Sequence, residues 1–208
     1  MATTTLPAVP ERAAPPEVAI ATEAAAPAGR RSTLLFGATL VASADVMLFA
    51  GLIAAFLLGR STVRPWPAKG VHLDNYRGNI VVLTALMAAA AARWSAYAAR
   101  RDDHRDTMVA TAMALGLGVA LLDVSWYTVA HAGFAVSKHA YAGLWFALVG
   151  TLVIHALGGV LLSLAVAVRV VGGQVTAEDH DLARIASVCW LVIAAECAVT
   201  YYVVWVVK

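Results

Sequence analysis

The chain has 208 residues, 61% of them hydrophobic, and only 13% are charged. Soluble domains carry about a quarter charged residues, so this composition excludes an ordinary soluble domain and implies a protein that crosses the membrane several times. A net charge of +2, without a basic stripe interleaved with aromatics, excludes a nucleic-acid partner.

Residues 1–33 are mostly Ala, Pro, Thr and Glu, with Pro7, Pro10, Pro15, Pro16 and Pro27 among them. No basic start followed by an apolar core marks a signal peptide. The segment reads as a disordered tail ended by Arg30 and Arg31. The remaining residues, 34–208, form the domain.

Five apolar runs follow: Leu34–Gly59, Asn79–Ala99, Met108–His131, Ala140–Val171 and Leu182–Val207. Each can cross roughly 30 Å of hydrocarbon as a helix rising 1.5 Å per residue. The expected fold class is therefore all-α, a polytopic bundle of five transmembrane helices. The fourth run is long enough to tilt or to leave the membrane. Small residues recur where helices must approach closely: Gly116, Gly118, Gly150, Gly158, Gly159 and the string Ala88–Ala92. Cys189 and Cys197 lie eight apart in one run, about 12 Å along a helix, too far to bridge.

Orientation follows from basic residues near the helix ends. One side collects eight: Arg30, Arg31, Arg93, Arg100, Arg101, Arg105, Arg169 and Arg184. The other collects six: Arg60, Arg64, Lys69, Arg77, Lys138 and Lys208. The balance puts the N-terminus inside and the C-terminus outside.

Four ionisable groups sit well within the runs: Asp45, Asp123, His155 and Glu196. A central Asp costs at least about 2.5–3.5 kcal/mol on insertion, so each of these wants a partner, a water cavity or a proton. Three readings arise. A haem or metal site would have to couple His131 with His155, which lie at different depths. A transporter could line a cation or proton path with the three acids, although the runs show no inverted repeat and no proline-broken helix. An accessory subunit of a larger complex fits the short loops, the small residues and the lack of a self-contained catalytic set.

The motifs resemble the subunit III family of haem-copper oxidases. "SADVMLFAGLIAAFLLGR", Ser43–Arg60, is similar to the family's first shared helix, with Asp45 where that family usually has Glu and Arg60 at the helix end. "RPWPAKGVHLDN", Arg64–Asn75, resembles a Trp-Pro-Pro-x-Gly loop in Trp66, Pro67 and Gly70, with Ala68 in place of the second proline. Between Trp126 and Leu161 the matches are Ala140, Tyr141, Phe146, Gly150, His155, Gly158 and Gly159. Leu152 replaces the first His of the family's His-x-x-His pair, and Leu122–Ser125, with Asp123 inside it, replaces a Gln-x-x-Glu. Trp190–Ala194 keeps only the Trp of a Trp-His-Phe-Val-Asp segment, and Glu196 follows two residues later.

The resemblance implies a divergent, short five-helix form, non-catalytic, with no metal or cofactor of its own. Haem and copper are then carried by subunits I and II, against which it packs, with subunit I the main contact. It also implies bound phospholipid, support of proton uptake, and a bacterial plasma-membrane location. The first two helices would form one leaf and the other three a second, with a lipid cleft between them. The resemblance extends to the accessory chains of quinol oxidases and nitric oxide reductases. Within this frame Asp45, Asp123, His155, Glu196, Trp66 and Arg60 are the residues expected to serve as intramembrane structural, proton-handling or lipid-cleft groups. Asp45 is expected to bond to His155 or a Tyr. Glu196, turned about 200° from the family's acid by its two-residue offset, is expected to face elsewhere.

Overall fold

The computed structural model describes residues 28–207, with side chains from Thr33 onward. Residues 1–27 of the expected tail and Lys208 lie outside the described residues. Five helices account for the apolar runs: α1 (Ala28–Thr62), α2 (Asn75–Arg100), α3 (His104–Ala130), α4 (Ala140–Val171) and α5 (Asp181–Tyr201), which ends in a π turn over Tyr202–Val206. All five are long and apolar enough to cross a membrane. The protein is an integral membrane helical bundle. α1 starts at Ala28, ahead of the apolar run, and its 35 residues reach about 52 Å, well beyond the hydrocarbon.

Polar residues set the helix starts. Asp74 caps α2 by accepting from the Tyr76 amide at 2.9 Å. Asp103 caps α3 by accepting from the Asp106 amide at 3.0 Å. At α4, the His139 ring nitrogen Nδ1 accepts from the Ala142 amide at 3.0 Å. Each satisfies an orphan donor of a first turn. The α2–α3 turn is short because Asp102 takes a left-handed φ of 58°, a conformation Asp tolerates. Its carboxylate also accepts from the Ala177 amide at 3.1 Å, tying this turn to the α4–α5 turn.

The helices neighbour one another in the ring α2–α3–α4–α5, with α2 closing on α5, while α1 lies outside against α4 and α5. This corrects the expected division into two helices plus three. α1 and α2 do not form a leaf together. The reason is side-chain size: α2 presents a smooth buried face of Ala85, Ala88, Ala89, Ala92, Ala96 and Ala99, which α3 and α5 approach closely. α1 carries large apolar residues all round and buries chiefly Phe49 and Phe56. Only 11% of its most apolar stretch is buried inside the chain, against 33–44% in the other four helices.

Trp190 sits at the centre of the four-helix ring, fully buried. A Cβ added to Gly118 on α3 or Gly159 on α4 would stand 2.7 Å and 3.0 Å from its indole ring, so both glycines are there to admit it. Its Nε1 donates to Ser163 Oγ on α4 at 2.8 Å. Gly116, Gly150 and Gly158 admit nothing comparable.

Between α2 and α3, the buried hydroxyls of Ser95 and Thr111 bond at 2.7 Å. A double-mutant cycle of Ser95→Ala and Thr111→Val is expected to return a coupling of about 0.6 kcal/mol in an SDS-unfolding titration. A coupling of zero would show that each hydroxyl finds another partner once the first is lost.

Candidate functional site

The intramembrane groups do not stay scattered. His155, midway along α4, has a carboxylate oxygen close to each ring nitrogen. Nδ1 lies 2.8 Å from Glu196 Oε2 on α5, and Nε2 lies 3.0 Å from Asp45 Oδ1 on α1. Side-chain exposure falls from 24% at Asp45 to 16% at His155 and 5% at Glu196. Asp45 and His155 are near the middle of their helices and Glu196 lies ten residues inside the end of the Asp181–Val206 span, so the cluster lies well inside the membrane-spanning segments. The Phe49 ring, one turn on from Asp45, stands 5.9 Å from the imidazole and covers it from the α1 side.

The packing of α4 on α5 creates this alignment. Gly159 receives Trp190 and Ile193. One turn back on α4 is His155, and the antiparallel partner advances to Glu196. The buried sector of α5 runs through Ala186, Trp190, Ile193, Cys197 and Thr200, and Glu196 shares it. Glu196 thus points into the bundle toward α4, and α5 is oriented by which residues fit the glycine faces.

The Nδ1–Glu196 contact is a hydrogen bond, and the Nε2–Asp45 contact is a close charge contact. A neutral imidazole with its one N–H on Nδ1 makes the hydrogen bond without a further proton, and a second proton on Nε2 would add an ion pair with Asp45. Glu196 Oε1 is buried with no hydrogen-bond partner among the described residues and is an open position for a proton. The cluster can thus hold or release a proton while His155 keeps its bond to Glu196. The donor atoms of the three residues lie within 4.8 Å of one another, and one imidazole with two carboxylates is also a set that a divalent cation accepts. However, the two ring nitrogens point to different carboxylates, the geometry of a proton-sharing chain rather than of ligands converging on one point.

The other expected site residues are placed separately. Asp123 is exposed on the outer face of α3 together with Trp126 and Tyr127. The three acids therefore do not form one path through the bundle. Trp66 folds back from the 63–74 loop, its ring 5.1 Å from Phe56 and 4.9 Å from Tyr141, edge to face. Arg60 is half-buried in the last turn of α1. His131 ends α3, stacked on Tyr127 at 4.0 Å, and does not join His155. Cys189 and Cys197 are free thiols.

Residues 22–206 match the family model described as cytochrome c oxidase subunit III. The chain belongs to the cytochrome c oxidase subunit III family. A curated relative, cytochrome c oxidase subunit 3 of Thermostichus vulcanus, is 24% identical over 147 residues, covering 70% of this chain and 73% of that protein. The chain is thus a distant member with a subunit III-type role. In this member of the subunit III family, the first-helix acid Asp45 stands beside an α4 histidine, and that histidine is hydrogen-bonded to an α5 acid.

Asp45→Asn keeps a hydrogen-bonding group beside Nε2 and removes only charge. It is expected to change stability by less than about 1 kcal/mol and to leave assembly intact. Lost assembly on blue-native gels would show that the negative charge itself is required.

Proposed function

We propose that the chain is the non-catalytic third subunit of a respiratory haem-copper terminal oxidase in a bacterial plasma membrane. It packs against subunit I and, less extensively, subunit II, holds phospholipid, and supports proton uptake and the durability of the catalytic core. Haem and copper reside in those partners, and the N-terminus is cytoplasmic. The observation that carries this reading is the family match over residues 22–206. Two structural features support it. α1 leaves Leu40, Met47, Leu48 and Leu58 uncovered by the rest of the chain, an apolar side suited to another subunit or to lipid. The Asp45–His155–Glu196 cluster gives the membrane interior a proton reservoir without a redox group.

Affinity purification of the tagged chain in mild detergent tests the reading. Haem-bearing chains with a Soret band should co-elute, and the chain stripped from them should have none. A Soret band retained by the isolated chain overturns the accessory role. Membrane-impermeant labelling of cysteines placed in the α2–α3 and α1–α2 connections tests orientation, with only the latter expected to react from outside.

A further inference from the structure

Asp123 is an acid that the bundle leaves unanswered. It lies on the outer face of α3, seven residues, about 10 Å, inside the helix end at Ala130. Its side chain enters no ion pair or hydrogen bond among the described residues. An aspartate is too short to carry its charge to the headgroups over that distance, as a lysine or arginine can. A carboxylate facing hydrocarbon is unfavourable, so an intramembrane acid marks a partner. Arg77 approaches this face but is already held, 3.5 Å from the Asp74 carboxylate and 5.1 Å over the Tyr127 ring.

The same face allows close approach. Ala112, Gly116 and Ala120 repeat one turn apart on the exposed side of α3 that carries Asp123. A Cβ added at Gly116 would meet nothing within 4 Å, so no neighbour within the chain requires a glycine there. Glycine inside a helix is less stable than alanine. Gly118 has a reason inside the chain, since it admits Trp190, and Gly116 has none. Met113 and Val119 flank the row, and Trp126 stands beyond Asp123 with 62% of its surface exposed. α1, which has its own uncovered apolar side, packs on α4 and α5, so this face of α3 belongs to another side of the bundle.

We propose that the outer face of α3 docks one transmembrane helix of another chain, which lies along Ala112, Gly116 and Ala120 and sets a lysine or arginine against Asp123. Two observations carry it independently. The acid requires a cation at its own depth, and the outward glycine suits a helix backbone at short range. A second copy of this chain fits poorly, because a parallel pair about α3 would set acid against acid at one depth. A lipid amine fits poorly too, because it stays at the interface, about 10 Å from the carboxylate. The contact is separate from the Asp45–His155–Glu196 cluster and from the α1 side.

Energy transfer between the labelled full chain and a labelled peptide in phosphatidylcholine vesicles tests this. The probe is a leucine-alanine transmembrane peptide of about 22 residues, with glycines one turn apart along one face and a single lysine at the depth of Asp123. Its twin carries leucine in place of the lysine. The lysine peptide is expected to associate about tenfold more tightly than its twin, and Asp123→Asn to remove that difference. Gly116→Ile, on the outward face where it disturbs no packing within the chain, should weaken both peptides. Asp123→Lys should reverse the preference toward a peptide bearing glutamate. In whole membranes, benzoylphenylalanine at Val119 should crosslink to a chain whose span carries a base, and Asp123→Asn should reduce that product. Equal association of the two peptides overturns the proposal, as does a lysine preference that survives Asp123→Asn. Crosslinks only to lipid or to a second copy of this chain overturn it too.

Discussion

Replacing His155 with alanine is expected to lower stability by about 3–5 kcal/mol, the loss that follows when one partner of a buried ionic group is removed. The imidazole is hydrogen-bonded to Glu196 at 2.8 Å and lies 3.0 Å from Asp45, so its loss leaves two carboxyl groups facing a void deep inside the membrane-spanning bundle. Glu196 is the more costly of the two. It is 5% exposed, and its Oε1 already has no partner among the described residues. The free energy needed to protonate both acids, or to admit water, falls on the folded state. α1 is affected most, because it packs chiefly on α4 and α5. An SDS titration monitored by circular dichroism measures the loss, and a cysteine reporter on α1 should show that helix released first. The triple variant His155→Ala, Asp45→Asn, Glu196→Gln separates charge from packing. It should recover a large part of the deficit if the stranded carboxylates cause it. Equal instability in both variants would mean that the cavity dominates and that the cluster's charge is of little consequence.

Trp190→Ala is the second large effect. The indole is fully buried, rests against Gly118 and Gly159, and donates to Ser163 Oγ at 2.8 Å. Truncating a buried Trp costs about 3–5 kcal/mol, through lost packing and the cavity left behind. Here it also strands a hydroxyl at the α4–α5 interface. Because the same interface aligns Glu196 with His155, the variant should disturb the cluster as well. Trp190→Phe keeps most of the ring and loses only the donor, so about 1 kcal/mol of loss is expected. The reverse change at the opposite wall, Gly159→Leu, should be as damaging as Trp190→Ala, since its first added carbon already meets Ile193 and the indole at 3.0 Å. A tolerated Gly159→Leu would show that α4 and α5 can part, and that Trp190 does not set their spacing.

Different residues made different features legible. Five apolar runs bounded by arginines, aspartates and loops defined five spanning helices, because the bilayer demands length and apolarity along each helix and nothing beyond it. Asp45 and His155 stood out for the same reason, since an ionisable group inside such a run has a price that must be met. Glu196 was visible as a group but not as a neighbour. Its direction depends on how α5 turns to fit Trp190 into two glycine notches on other helices, and no spacing within α5 contains that information. Asp123 is the converse case. It looked like a third member of the set, and α3 turns it outward with Trp126.

By itself the sequence determined the class, the number of helices and their approximate ends. Those properties are sums over local segments in a solvent of known thickness. The tertiary structure alone decided that α1 stands outside a four-helix ring, that one acid from α1 and one from α5 meet a single histidine of α4, and that α3 turns Asp123 outward. Each of these depends on side-chain volumes meeting across helices far apart in the chain, where one methyl group on Gly159 or a large residue among the α2 alanines would change which faces touch.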